Sequence, residues 1–429
     1  PSACFIFSCI CRSAGRNTLK GKLMMATHRF GALGSPNRIP TVLTAGFRFF
    51  FLSAGIFSVF AMLAWTVWLG VHAAGGTFVS TPMSMAPHLW HAHEMVFGYT
   101  AAVIAGFFVT AVPNWTGTKE AGSLFVIASG TVWLAGRVAI WFSNSIDPVI
   151  VAAVDLAFVP VLSTAVLGRL ARKSQARNMV FLALLTALLT GNLMMHLEWV
   201  GWTDDTAQAG VRMGIFTSTA MIAIIGGRVV PAFTRNALLR AGYQGSLPVS
   251  RVWLDRAGIL LVLLTALAFL PFVPEVLRGG LCLAAGLVTL LRLAGWQGWA
   301  ARREPILWIL HAAYLLLGSG YLVYGVTLLT GEYSETAALH LLAAGAIGSM
   351  TLAMMTRASL GHAGLPLKVS RPIVLAYVLL IAAALVRSFG LSALGYFETM
   401  LLSGSLWIVA FALYVGVYFP ILTTPRTRK

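Results

Sequence analysis

The chain has 429 residues, of which 58% are hydrophobic and only 10% charged, and its mean hydropathy is +0.84. A soluble domain carries about 25% charged residues, so the composition excludes a soluble globular protein and puts the chain in the membrane class. The formal net charge of +17, from 30 Lys+Arg against 13 Asp+Glu, resides in short loops between apolar segments, which fits membrane topology and argues against a nucleic-acid-binding face.

The chain opens with Pro1, and Met24 or Met25 is the expected natural start, so residues 1–23 are set apart from the fold. Their short apolar run, ACFIFSCIC, precedes the basic residues, which is not the order of a secretory signal. Three of the four cysteines, Cys4, Cys9 and Cys11, fall here; with Cys282 alone elsewhere, no disulfide framework or paired zinc motif follows. Residues 1–44 are read as a basic N-terminal tail, 45–422 as a single transmembrane domain and 423–429 as a basic C-terminal tail.

About 20 consecutive apolar residues cross a bilayer core, and about twelve such segments follow one another, which predicts an all-α, polytopic integral membrane bundle. Their approximate extents are 46–73, 90–112, 122–142, 148–168, 178–200, 210–232, 252–272, 276–296, 305–329, 336–357, 371–391 and 397–421. Pro271 and Pro274 mark either a tight turn or a kink between the seventh and eighth. If the N-terminus with Arg29, Arg38 and Arg48 is cytoplasmic, the inner connections hold Lys119; Arg169, Arg172, Lys173 and Arg177; Arg235, Arg240 and Arg251; Arg302 and Arg303; and Lys368 and Arg371. The tail adds Arg426, Arg428 and Lys429. The outer connections hold Asp147, Asp204, Asp205, Glu275, Glu332 and Glu335, with Arg278 as the main exception. The positive-inside rule therefore predicts that both termini are cytoplasmic. No repeat with a period of about 20 to 50 residues is visible, and small residues such as Gly345, Gly348, Gly390 and Gly395 are read as packing points.

The most chemically loaded stretch runs from His88 to Gly117, HLWHAHEMVFGYTAAVIAGFFVTAVPNWTG. Residues three apart share a helix face and residues two apart diverge by about 200°, so His91 is expected with His88 and Glu94 while His93 looks the other way. One helix could then serve two sites. Ionisable groups in a membrane helix are costly and mark function by default, although an interfacial histidine belt is the plain structural alternative. On the predicted topology His72, His91, His93, His196 and His340 gather toward the outer layer, with Asp155 and Arg137 in the outer half of their spans. Imidazole is the commonest metal ligand and the usual haem ligand in membrane helices, and it also suits copper. Glu94, Asp155 and Glu198 could orient such ligands or carry protons; solvation at a helix end or pairing with Arg137 is the alternative for the acids.

At the inner level lie Arg228, Arg235 and Asn236 in GGRVVPAFTRN, with Asn114, Trp115, Arg357 and His362. Arg137, Arg228, Arg235 and Arg357 are candidates to clamp haem propionates by charge-assisted bonds, against a purely topological role. His311, with Tyr314 beside it, is expected about 9 Å into its span, either as a ligand or as a hydrogen-bonded core histidine.

Taken together, WHAHEMVFGYTAAVIAGFFVTAVPNWTG from Trp90, GNLMMHL from Gly191, GGRVVPAFTRN from Gly226, WILHAAY from Trp308 and ALHLLAAGAIGSMTLAMMTRASLGHAG from Ala338 resemble the NnrS family of bacterial inner-membrane proteins. The likeness extends in order from about residue 45 onward. It implies a multi-pass protein of the bacterial inner membrane that binds haem, of b type, and copper and belongs to the response to nitric oxide, often beside denitrification. Carried over by motif, it implies His91, His93, His196, His311 and His340 as cofactor ligands. The metal candidates are His91, His93 and His340, with His88 beside the motif, and the second-shell or proton-path candidates are Glu94 and Asp155. The HAH pair also resembles the His-x-His element of haem-copper oxidases, a local likeness only.

Three functional readings remain open on the sequence. The first is a haem- and copper-binding protein that protects against nitric oxide and nitrosative stress by binding NO; the second is an oxidoreductase that turns NO over with an unidentified redox partner. The third is a twelve-helix secondary transporter, which usually shows internal repeats and helices broken at the midplane; Pro160 and Pro231 are the hints of that.

Overall fold

The computed structural model describes residues 39–170, 176–270 and 272–425, and all regular structure among them is helical. Arg29, Arg38, the three N-terminal cysteines, Arg172, Lys173, the side chain of Arg177, Pro271 and the C-terminal Arg426, Arg428 and Lys429 lie outside the described residues.

The apolar runs become α1 (Gly46–Ala73), α2 (Pro87–His93) continuing into α3 (Ala101–Thr116), α4 (Ser123–Trp141), α5 (Pro148–Leu156) with α6 (Phe158–Leu170), α7 (Ala176–Trp199) and α8 (Ala207–Arg240). There follow α9 (Val252–Leu267), α10 (Glu275–Ala294), α11 (Pro305–Thr330), α12 (Glu335–His340) continuing into α13 (Ser349–Ala363), α14 (Arg371–Phe389) and α15 (Tyr396–Thr423). Among the described residues, eleven spans are long and apolar enough to cross a membrane, so the chain is a multi-pass membrane protein. The remaining one of the twelve expected segments is α9. Its 16 residues rise about 24 Å, short of the ~30 Å hydrocarbon core.

Three local departures from a plain α-helix place the site. The fourth span breaks at Ala157 between α5 and α6, because Pro160 cannot donate to the carbonyl of Leu156 and its ring crowds that carbonyl. The break falls beside Asp155. In the second span the residues Glu94–Thr100 form a π-helical segment between α2 and α3, and the Thr100 hydroxyl bonds the Met95 carbonyl five residues back at 2.8 Å. In the tenth span Leu341–Gly348 does the same between α12 and α13. The two spans thus share one layout: a short α-helix ending at a histidine, a π segment, a longer α-helix, and a closing glycine at positive φ, Gly117 at 62° and Gly364 at 73°. The sequence shows no such repeat because the π segments, EMVFGYT and LLAAGAIG, share little beyond a glycine.

Glycines let the helices approach closely. A Cβ on Gly210 of α8 would run into the carbonyl oxygen of Gly191 on α7, and one on Gly191 would lie 2.8 Å from that of Gly210. Gly286 and Gly318 bring α10 and α11 together in the same manner. Close approach of small residues drives membrane helix association where no hydrophobic effect operates between helices. Arg48 of α1 donates to the carbonyls of Ile421, Leu422 and Thr424 at 3.0, 3.0 and 3.1 Å. It satisfies the last turn of α15 and ties the first span to the last.

Candidate functional site

Two polar sites lie on the two sides of α2. The first is a buried charge cluster drawn from four spans. Arg137 of α4 donates to Glu94 Oε1 at 2.6 Å and to Asp155 Oδ1. His93 Nδ1 lies 2.9 Å from Glu94 Oε1, and its Nε2 lies 2.9 Å from Asn192 Oδ1 and 3.2 Å from Asp155 Oδ2. Asn192 donates through Nδ2 to Asp155 Oδ2 at 2.8 Å, and His196 Nε2 is 2.9 Å from the same oxygen. All six side chains are buried. Glycine makes the room: a Cβ on Gly98 would lie 2.8 Å from the Arg137 guanidinium, and one on Gly136 would lie 2.8 Å from Asp155 Oδ1.

Charge counting defines what this cluster can do. Two carboxylates face one guanidinium, and both ring nitrogens of His93 face oxygen acceptors. One more positive charge completes the set, either as a second proton on His93 or as a cation held by His93, Asp155 and His196. The ligand atoms of those three residues lie within 4.8 Å of one another, and imidazole with carboxylate suits copper or zinc.

The second site is a cavity of about 400 Å³ on the other side of α2, within the usual range for small-molecule and cofactor pockets. Its mouth lies where α2, α8, α12 and α15 begin and α14 ends, with His88, Arg212, Glu335, Arg387 and Tyr396 around it. Its floor is apolar and aromatic, with Val96, Tyr99, Ile215, Ile347 and Trp407. His91 and His340 stand on its walls. The His340 Nδ1 lies 2.7 Å from the Thr336 carbonyl, which fixes the proton on that nitrogen and leaves Nε2 as a lone-pair donor. The His91 ring stacks on Trp65 with centroids 5.0 Å apart and planes 11° apart, and its buried Nδ1 has no hydrogen-bond partner. Two imidazoles, an apolar and aromatic floor and a basic rim are the donor set and surface that a haem would need.

Against the sequence expectations, the histidines divide. His91, His340 and the exposed His88 line the cavity, whereas His93 and His196 belong to the buried cluster. His93 thus lies apart from His88, His91 and His340, as the divergence of the two faces of the helix predicts. His311 lies at neither site; its Nε2 is 2.9 Å from Thr234 Oγ1 and Gly298 closes over its ring. Glu94 sides with His93 rather than with His91, because its carboxylate reaches across to Arg137 at the start of the π segment.

The four clamp candidates lie away from this cavity. Arg137 is engaged by Glu94 and Asp155, Arg357 lies over the Phe233 ring at 3.8 Å and Arg228 over Phe181 at 6.0 Å. None of these, nor Arg235, lines the cavity. Three residues of these sites were missed from sequence. Asn192 carried a signal, the i, i+4 spacing to His196 that puts both on one helix face. Arg387 carried another, as a basic residue at the end of a span that topology assigned to the acidic side. Trp65 carried none.

A helical multi-pass membrane protein with a histidine-walled cavity and a buried His–carboxylate–Arg cluster is the class that the fold and the sites define. The family profile described as NnrS protein matches residues 41–426, nearly the whole chain, and the chain belongs to the NnrS family. A search of curated proteins finds no match.

Proposed function

We propose that this chain is a haem- and copper-binding protein of the bacterial inner membrane, with both termini cytoplasmic, that protects against nitric oxide by binding it. Family membership supports the nitric oxide response and the use of haem or metal. The observation that carries the haem reading is that His91 and His340, from two different spans, line one amphipathic cavity. A haem held there supplies an iron that can take NO. The chain's own part is to hold the imidazoles at fixed angles: Thr336 sets the tautomer of His340, and Trp65 sets the plane of His91. The apolar floor excludes water, and NO, being small and uncharged, can reach the site through the bilayer or the mouth.

Copper is assigned to His93, Asp155 and His196, where a cation would supply the missing positive charge. Turnover is the second reading, favoured by the protonable chain of Glu94, His93, Asp155 and His196 on the other side of the same helix. Purified protein should show a Soret band that shifts with NO. His91→Ala and His340→Ala should lower haem content while sparing copper, and His93→Ala and His196→Ala should do the reverse. Equal effects of all four on both cofactors would sink the two-site assignment, and steady NO consumption by the purified protein would favour turnover.

A further inference from the structure

We propose that Arg387 anchors a carboxylate or similar oxyanion at the mouth of the cavity and so sets the orientation of what binds between His91 and His340. The proposal deepens the haem reading and rests on it for its first source of that anion. Its basis is a charge count around the mouth. Arg212 and Glu335 cancel: Glu335 accepts from Arg212 Nε at 2.6 Å and Nη2 at 2.9 Å, and from the Tyr324 hydroxyl at 2.6 Å. Both oxygens of that carboxylate are engaged. Arg387, in the last turn of α14, faces the same cavity, and no ion pair among the described residues includes it. The C-terminal dipole of α14 compensates a cation there only in part. The mouth therefore carries one uncompensated guanidinium, partly buried, with five donors in a planar fork and no acceptor capacity. Such a fork matches a carboxylate in bidentate fashion.

The position of the charge is as informative as its sign. His88 and Arg387 stand at the rim, the imidazoles of His91 and His340 lie inward, and Tyr99 and Trp407 close the floor. From His88 to Glu94 the helix descends about 9 Å, and the π segment carries it further, to Tyr99. A flat, largely apolar ligand with acid groups on one edge is complementary to that gradient, with its acid edge on Arg387. A small free oxyanion would satisfy the guanidinium equally well but would leave the floor empty.

The test is reconstitution of the purified haem-free protein with haem and with haem dimethyl ester, in which both carboxylates are masked, for wild type, Arg387→Gln and Arg387→Lys. Formation of the Soret band gives the affinity, and thermal unfolding in the presence of sodium formate reports free-anion binding. A charge-assisted bond of this kind corresponds to a roughly ten- to hundredfold preference of wild type for the free acid. Arg387→Gln should abolish the preference and Arg387→Lys should restore part of it. Equal affinity for acid and ester, together with formate stabilisation of wild type that Arg387→Gln loses, assigns the guanidinium to a free oxyanion instead. If neither haem form binds, the haem reading fails, and formate stabilisation alone then decides for or against the anchor. Equal binding of acid and ester with no formate effect overturns the proposal, and the ester comparison on wild type requires no variant to fold.

Discussion

Replacing Arg137 with Met tests whether the buried cluster is a balanced charge network or a cofactor clamp. In the native protein Glu94 and Asp155, each at most 2% exposed, share the guanidinium of Arg137. One negative charge remains, to be met by a proton on His93 or by a cation. Met fills a similar volume but leaves two buried carboxylates without a guanidinium. Removing one partner of a buried ion pair costs about 3–5 kcal/mol, a large part of a typical stability of about 5–15 kcal/mol. Thermal unfolding of the detergent-solubilised protein should show a marked fall for Arg137→Met. Adding Asp155→Asn returns the cluster to one uncompensated charge, so the double variant should melt above the single one, with a coupling of about 0.5–3 kcal/mol. Since Arg137 is not a cavity residue, whatever Arg137→Met protein folds should keep its haem. A single variant that melts like wild type and loses haem would refute this account and restore the clamp reading.

Three further outcomes follow from the same geometry. His311→Gln should retain both cofactors, because His311 lines neither the cavity nor the buried cluster and its Nε2 is taken by Thr234; loss of either cofactor, measured as total iron and copper, would contradict its exclusion from the sites. Gly210→Val should destabilise the α7–α8 crossing by about 1–3 kcal/mol, visible in thermal unfolding, since the new Cβ meets the Gly191 carbonyl; an unchanged melting curve would mean that the helices do not pack this closely. Trp65→Ala removes the ring stacked on His91, an interaction of about 0.5–1.5 kcal/mol, so haem should transfer to an acceptor protein roughly two- to tenfold faster. An unaltered transfer rate would show that Trp65 does not hold His91.

The membrane spans and the divergence of His91 from His93 could be read from the chain because both depend on local periodicity. What could not be read depends on partners far apart in sequence. Arg137 is a plain basic residue until Asp155 and Glu94 are brought against it, and the space for that contact comes from Gly98 and Gly136, which look like ordinary packing glycines. Glu94 was placed with His91 by counting 3.6 residues per turn through a stretch that is not α-helical. Arg387 carries little signal in the sequence because a charge near a span end is usually topological; only the engagement of Glu335 by Arg212 and Tyr324 shows that the acid lining the same cavity is already taken. The seventh expected segment is shorter than the apolar run suggested, since the helix that starts at Val252 ends at Leu267.

The two π segments explain why a cavity exists between spans that are otherwise closely packed. π-Helix is rare, well under 1% of residues in ordinary proteins, and is used mostly at functional sites. Here there are two runs, of 7 and 8 residues, each beginning directly after a histidine. Met95, Val96, Tyr99 and Thr100 of the first and Ala343, Ala344 and Ile347 of the second line the cavity. A π turn is wider than an α turn and changes the angular step between side chains, so the faces presented before and after it are out of register. Two such turns border the same cavity, which keeps the walls apart while α3 and α13 beyond them return to α-helical packing. The same widening lets Glu94 turn toward Arg137 while His91, one turn earlier, faces the cavity. Polar chemistry on both sides of one helix thus follows from where its α-helical winding stops.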